Sequence, residues 1–238
     1  MEAAIAISAK RCAVALGLAA AVLVAASLGA TFLSLGAAVD PFSHKVVESV
    51  VRLVWLDGEG NIPAWYSASL LLLCSLLLAA IAAAHKQQQG GRAAHWLILS
   101  LIFLFLSLDE TAQLHELSIA PVRSALGVTG FLYYAWILPA GVCVALFGLA
   151  YLRFLANLPA RTRRLFLLAG AVFVGGAMGV EALSGQHASS HGEHTLTYHL
   201  IITFEELLEM AGVVLFIYAL LDYAGRQFAR LSFHVSAR

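Results

Sequence analysis

Long uncharged runs separated by short charged clusters dominate the chain. Residues 12–39, 62–84 and 124–152 hold no Asp, Glu, Lys or Arg. A helix needs about 20 residues to cross roughly 30 Å of hydrocarbon, so each run predicts a membrane span. Three further apolar stretches are interrupted only by acid: 93–108 ends at Asp109-Glu110, 165–180 ends at Glu181, and 195–221 carries Glu205, Glu206 and Glu209. The pattern predicts an all-α, polytopic integral-membrane six-helix bundle forming one transmembrane domain over residues 1–238, with spans at 12–38, 62–84, 93–115, 131–155, 164–184 and 196–222. Residues 44–56 have a different period. Lys45, Glu48 and Arg52 make one polar stripe opposite Val46, Val47, Val50, Val51 and Val54, which predicts an amphipathic helix lying on the membrane surface, as connector or as a lip beside a site. A turn at Asp57-Gly58-Glu59-Gly60-Asn61 follows, with Asn61 capping the second span and Pro63 in its first turn.

Composition agrees, since 61% of residues are hydrophobic and only 12% charged. Fourteen basic residues balance fourteen acidic ones, which argues against a nucleic-acid partner. Cys12, Cys74 and Cys143 sit singly in apolar runs, so neither a disulfide scaffold nor a cysteine-type zinc module is expected. The first span follows Lys10-Arg11 but is much longer than a signal-peptide core of about 7–15 residues, and reads as a signal anchor. Placing both termini in the cytoplasm puts Lys10, Arg11, Lys86, Arg92, Arg153, Arg161, Arg163, Arg164, Arg226, Arg230 and Arg238 inside, and leaves Lys45, Arg52 and Arg123 outside. This fits a bacterial-type inner (plasma) membrane, with the lipid bilayer as the obligatory partner. Oligomeric state is not encoded in any visible pattern.

The same topology puts all acids except Glu2 and Asp222 outside or in the outer half of the spans, from Asp40 to Glu209. Acidic residues have little influence on orientation, so the skew calls for a cause of its own. Extending the third span through residue 116 places Asp109, Gln113 and Glu116 on one helical face with Glu110 at its edge. On the sixth span Tyr198, Ile202, Glu205, Glu209 and Gly212 share a face, with Glu206 and His199 at its edge. Gly170, Gly175, Gly176 and Gly179 of the fifth span would let a neighbour approach just before Glu181. A charged residue at mid-bilayer costs about 2.5–3.5 kcal/mol, so clustered carboxylates imply something held between them. Carboxylate with imidazole is a ligand set for a divalent metal such as iron, manganese or zinc. Asp109, His115, Glu116, Glu181, His199, Glu205 and Glu209 are the expected ligands, and Glu206 and Glu110 the expected proton-transferring groups. His187, His191 and His194 are read either as a solvated loop or as ordered donors.

An acid-rich span followed by a His-bearing one resembles the integral-membrane hydrolases that include alkaline ceramidases and adiponectin-type receptors. That resemblance implies a histidine-held zinc with Asp and Ser nearby. This chain departs from it in having six predicted spans rather than seven, Glu where that pattern has His, and no intramembrane His-x-x-x-His. The likeness is therefore one of pattern and assigns no family. The strings Ser107-Leu108-Asp109-Glu110 and Thr203-Phe204-Glu205-Glu206 hint at two inverted halves. The reading that follows is a metal-dependent membrane enzyme acting on a lipophilic small molecule, by hydrolysis or by redox chemistry. The alternatives are a divalent-cation or proton transporter using the same acids, and a non-catalytic scaffold subunit.

Overall fold

A computed structural model describes residues 8–36, 41–87 and 93–228. The sequence-based placements of Glu2, Asp40, Arg92, Arg230 and Arg238 lie outside these residues. All regular structure among the described residues is helical: α1 (Ala9–Gly36), α2 (Pro41–Val54), α3 (Ile62–Gln87), α4 (Ala93–Ala112), α5 (Ile119–Leu126), α6 (Ile137–Ala156), α7 (Ala160–Val174), α8 (Glu181–His191) and α9 (Leu196–Gln227). Five stretches are long and apolar enough to cross a membrane, namely Ala9–Ser34, α3, α4, α6 and Ala160–His191.

Their outward faces are apolar, as a lipid-facing surface requires: Leu18, Leu149 and Leu146 are 63%, 67% and 61% exposed. The helix α9 is built the other way round. It packs against α1, α3, α7 and α8, burying Met210, Ile217, Leu220 and Tyr223 almost completely. At about 1.5 Å per residue its 32 residues run about 48 Å through the middle of the bundle. Its acids face protein rather than lipid.

The two ends of the bundle differ. At one, His85 of α3, Trp96 of α4, Phe154 of α6, Phe166 of α7 and Tyr223 of α9 stack into an aromatic floor, with His85 Nε2 bonded to the Tyr223 hydroxyl at 2.8 Å. Above this floor Leu70, Leu71, Cys74, Leu78, Leu99, Val213 and Ile217 form a continuous apolar plug. Ser75 and Ser100 cross it only by bonding each other's hydroxyls and carbonyls. The acidic residues collect at the opposite end.

Four features depart from the pattern-based reading, the first being that the predicted sixth span, 196–222, is helical but not one of the five stretches apolar enough to cross a membrane. The predicted third span, 93–115, stops at Ala112, where Gln113 adopts φ 53°, a left-handed backbone that ends a helix. Beyond it a single 3-10 turn (Glu116–Ser118) leads into the short helix α5, which Gly127 closes at φ 62°. The predicted 131–155 span starts later, at Ile137, because Gly130 (φ 66°) and the turns after it interpose. The fifth span does not end at 184. It passes through a π-helical segment, Gly175–Val180, and continues to His191, so His187 and His191 are helical while His194 lies in the turn before α9. The surface helix α2 agrees with its period. Val46, Val50 and Leu53 are open on one side, and the chain after α2 is pinned to α1 by a bond from the Leu56 amide to Ser27 Oγ, 3.2 Å.

Candidate functional site

The acidic end is organised by close backbone approach. An added Cβ at Gly212 would lie 2.7 Å from the Phe173 nitrogen, and one at Gly176 would lie 3.0 Å from the Glu205 carbonyl and 3.1 Å from Glu209 Cγ. Only glycine lets α7 and α9 meet this closely. Of the four glycines noted in the fifth span Gly176 alone makes the contact, since a Cβ at Gly170, Gly175 or Gly179 would meet nothing within 4 Å. The π-helical widening lies in the same place and immediately precedes Glu181. Such segments recur at functional sites because they re-aim one side chain without breaking the helix.

Around this contact several carboxylates lie within electrostatic range of one another. Glu205 is buried, with the Ser184 hydroxyl lying 3.2 Å from its Oε2 and 2.9 Å from the Glu181 carbonyl. Glu181 accepts a 2.6 Å hydrogen bond from Trp136 Nε1. Glu209 senses the charges of Glu110, Glu181 and Asp57, and Glu206 senses those of Glu209, Glu110, Asp57 and Glu205. Glu110 and Glu209 also line, with Ser67 and Phe173, a cleft of about 10 Å³ between α3, α4, α7 and α9.

On α4 it is therefore Glu110, not Asp109, that meets the acids of α9. Asp109 turns to the end of its own helix, where Oδ1 accepts from the His115 amide and Oδ2 pairs with His115 Nδ1, both at 2.9 Å. The reason is the break at Gln113, which removes residues 113–116 from the helical phase that had aligned Asp109 with Glu116. His115 packs on Trp136, ring centroids 4.7 Å apart. Burial opposes its protonation, but the Asp109 bond and the neighbouring charges of Asp109, Glu181 and Glu116 prevail and raise its pKa. Glu116 lies at the rim, hydrogen-bonded to Glu59; burial and that neighbour raise its pKa. His199 stands apart from the acids. Its ring packs edge-on against Trp55, just after α2, at 5.3 Å, and its Nδ1 is buried with no hydrogen-bond partner among the described residues.

The structure adds groups that the pattern did not single out. Asp57, in the turn between α2 and α3, overhangs the site and interacts with the Tyr198 hydroxyl. Its side chain is exposed at the mouth yet crowded by protein and by Glu193, Glu116 and Glu59, and this crowding followed by those like charges lifts its pKa from 3.8 to about 7. Tyr134 donates to Glu193 at 3.0 Å, and its hydroxyl lies 2.7 Å from that of Tyr198. Asp57, Tyr198, Tyr134 and Glu193 thus bridge the mouth from the α2–α3 turn to the α8–α9 turn. In sequence Asp57 reads as a turn residue, Tyr134 and Trp136 as an interfacial belt, and Ser184 as part of a span, so nothing marked them. The histidines in the last turns of α8 are engaged elsewhere: His187 bonds Thr195 Oγ1 at 2.7 Å and stacks on His191 at 4.8 Å.

No three of the described His, Cys, Asp and Glu side chains stand close enough together, as placed, to hold a metal ion in common. The arrangement is a narrow acidic chamber between α4, the α7–α8 segment and α9, its cleft only about 10 Å³, roofed by two turns and closed beneath by the apolar plug. Neither curated proteins nor solved structures gave a match to this chain. A family model does match residues 15–224, nearly all of the bundle, and the chain belongs to that family, described as a domain of unknown function, DUF8692.

Proposed function

We propose that the protein is a metal-dependent integral-membrane enzyme whose acidic chamber faces the non-cytoplasmic side and acts on a lipophilic substrate. One observation supports the reading: Glu110, Glu181, Glu205, Glu206 and Glu209, from three helical segments, are linked through pairwise electrostatic interactions above the apolar plug. Carboxylates gathered in this way require protons or a cation. The donor chemistry, carboxylate oxygen with an imidazole nearby at the rim, suits iron, manganese or zinc. Glutamate side chains have three rotatable torsions, so a bound ion could be held by Glu110, Glu209 and either Glu181 or Glu206 after rotamer changes. A metal would supply Lewis acidity or an activated water there. Asp109 and His115 then act from the rim as a proton-exchanging pair, a role matched to imidazole, and Trp136 fixes Glu181.

The transport reading requires a polar route through the bundle. The plug of Leu70, Leu71, Leu78, Val213 and Ile217 beneath the chamber supports the enzyme instead. The decisive measurement is elemental analysis of detergent-purified protein. We expect near-stoichiometric divalent metal in the wild type, falling at least tenfold in Glu209→Gln and Glu110→Gln. Wild-type protein without metal sinks the proposal, and metal-driven flux in proteoliposomes replaces it with transport.

A further inference from the structure

Away from the acidic chamber, α1 and α9 do not close against each other along their whole length. Between them runs a groove of about 260 Å³ whose walls include Gly17 and Ala20 of α1 and Ala211, Leu215 and Tyr218 of α9. It is open space: a Cβ added to Gly17 would meet nothing within 4 Å. On α9 the lining extends from Leu207 to Tyr218, about 16 Å at 1.5 Å per residue, toward the end of the bundle opposite the acids.

The groove terminates in positive charge. The Tyr218 hydroxyl, its last lining group, accepts from Arg161 Nη2 at 2.8 Å, which leaves the tyrosine's own proton to donate. Arg161 Nε and Arg226 Nε share one carboxylate, Asp222, at 3.0 and 2.9 Å, so the trio keeps a net positive charge. Both guanidinium groups are exposed, as are Lys10 and Arg11, which precede the lining residue Ala13 by one turn or less on α1. An apolar slot in a bilayer-facing wall that ends on cations and a hydroxyl donor is complementary to one kind of molecule.

We infer that the groove between α1 and α9 binds an anionic phospholipid, its acyl chain lying between the helices and its phosphate resting on Arg161, Arg226 and the Tyr218 hydroxyl. Guanidinium recognises phosphate by paired, charge-assisted hydrogen bonds, and basic clusters beside transmembrane helices are established lipid-headgroup sites. Because the basic end of the groove lies about 16 Å along α9 from Leu207, away from the acids of the chamber, the inference stands whatever the chamber proves to do.

The test compares thermal unfolding of the full-length protein in detergent micelles supplemented with phosphatidylglycerol or with phosphatidylcholine. A ligand that binds the folded state raises its midpoint, and a shift on the order of 3 °C or more is expected for phosphatidylglycerol over phosphatidylcholine. Arg161→Gln should abolish that difference. Gly17→Leu, which fills the slot without touching the basic rim, should abolish it too while leaving the lipid-free midpoint intact. High salt should shrink it. Equal shifts from the two lipids, or a full response in Gly17→Leu, would overturn the inference. So would a lipid-independent dimer cross-linked through Gly17→Cys, which would identify the occupant as a second copy.

Discussion

Asp57 stands in a turn between helices, yet its surroundings are those of a site residue. Its pKa is raised from 3.8 to about 7 by crowding and by Glu193, Glu116 and Glu59. A carboxyl raised in this way favours the folded state fully below its unfolded value and loses that contribution as pH climbs through its folded value. Wild-type stability relative to Asp57→Asn should therefore fall between about pH 4 and pH 7 and then level off, a trend that thermal unfolding at stepped pH will display. Parallel curves for the two proteins would show that Asp57 is simply solvated. The identity of the acids was legible at this scale. Their pairing was not, because a helix ends where the backbone turns over. Asp109 and Glu110 are neighbours in sequence but are divided by the break at Gln113, one capturing His115 and the other facing Glu209.

At the scale of elements, the contact between α7 and α9 decides where the chamber forms. Gly212 has no room for a methyl group beside the Phe173 backbone, whereas Gly170, on the same pair of helices, meets nothing within 4 Å of its Cβ position. Gly212→Ala should cost about 1–3 kcal/mol through overpacking. Gly170→Ala should be neutral or stabilising by up to about 1 kcal/mol, because alanine is the better helix former. Chemical or thermal unfolding of the two variants compares them directly, and equal effects would remove the close approach as the organising feature. Periodicity supplied the long apolar helices and the amphipathic α2, since both follow from the spacing of side chains around a helix. The π-helical segment and the continuation of the fifth span to His191 were not visible, because both depend on a hydrogen-bond shift that sequence spacing does not mark.

For the whole molecule, polarity is the feature with consequence. Aromatic floor and basic residues occupy one end, chamber and acidic turns the other. If the basic end is cytoplasmic, as we propose, a cysteine replacing Glu193 should react with an impermeant thiol reagent in intact cells, and one replacing Arg226 should react only after lysis. The reverse pattern would invert the site's orientation. The sequence by itself determined that this chain carries several helices long and apolar enough to cross a membrane, although five rather than the expected six meet that description, because length and hydropathy are properties of a segment taken alone. It could not show that α9 is tolerated with Glu205, Glu206 and Glu209 because neighbouring helices surround it, nor that Glu110 rather than Asp109 meets those acids. Those outcomes depend on which helix face meets which neighbour, and on the distant turn that Asp57 brings over the chamber, and only packing in three dimensions decides that.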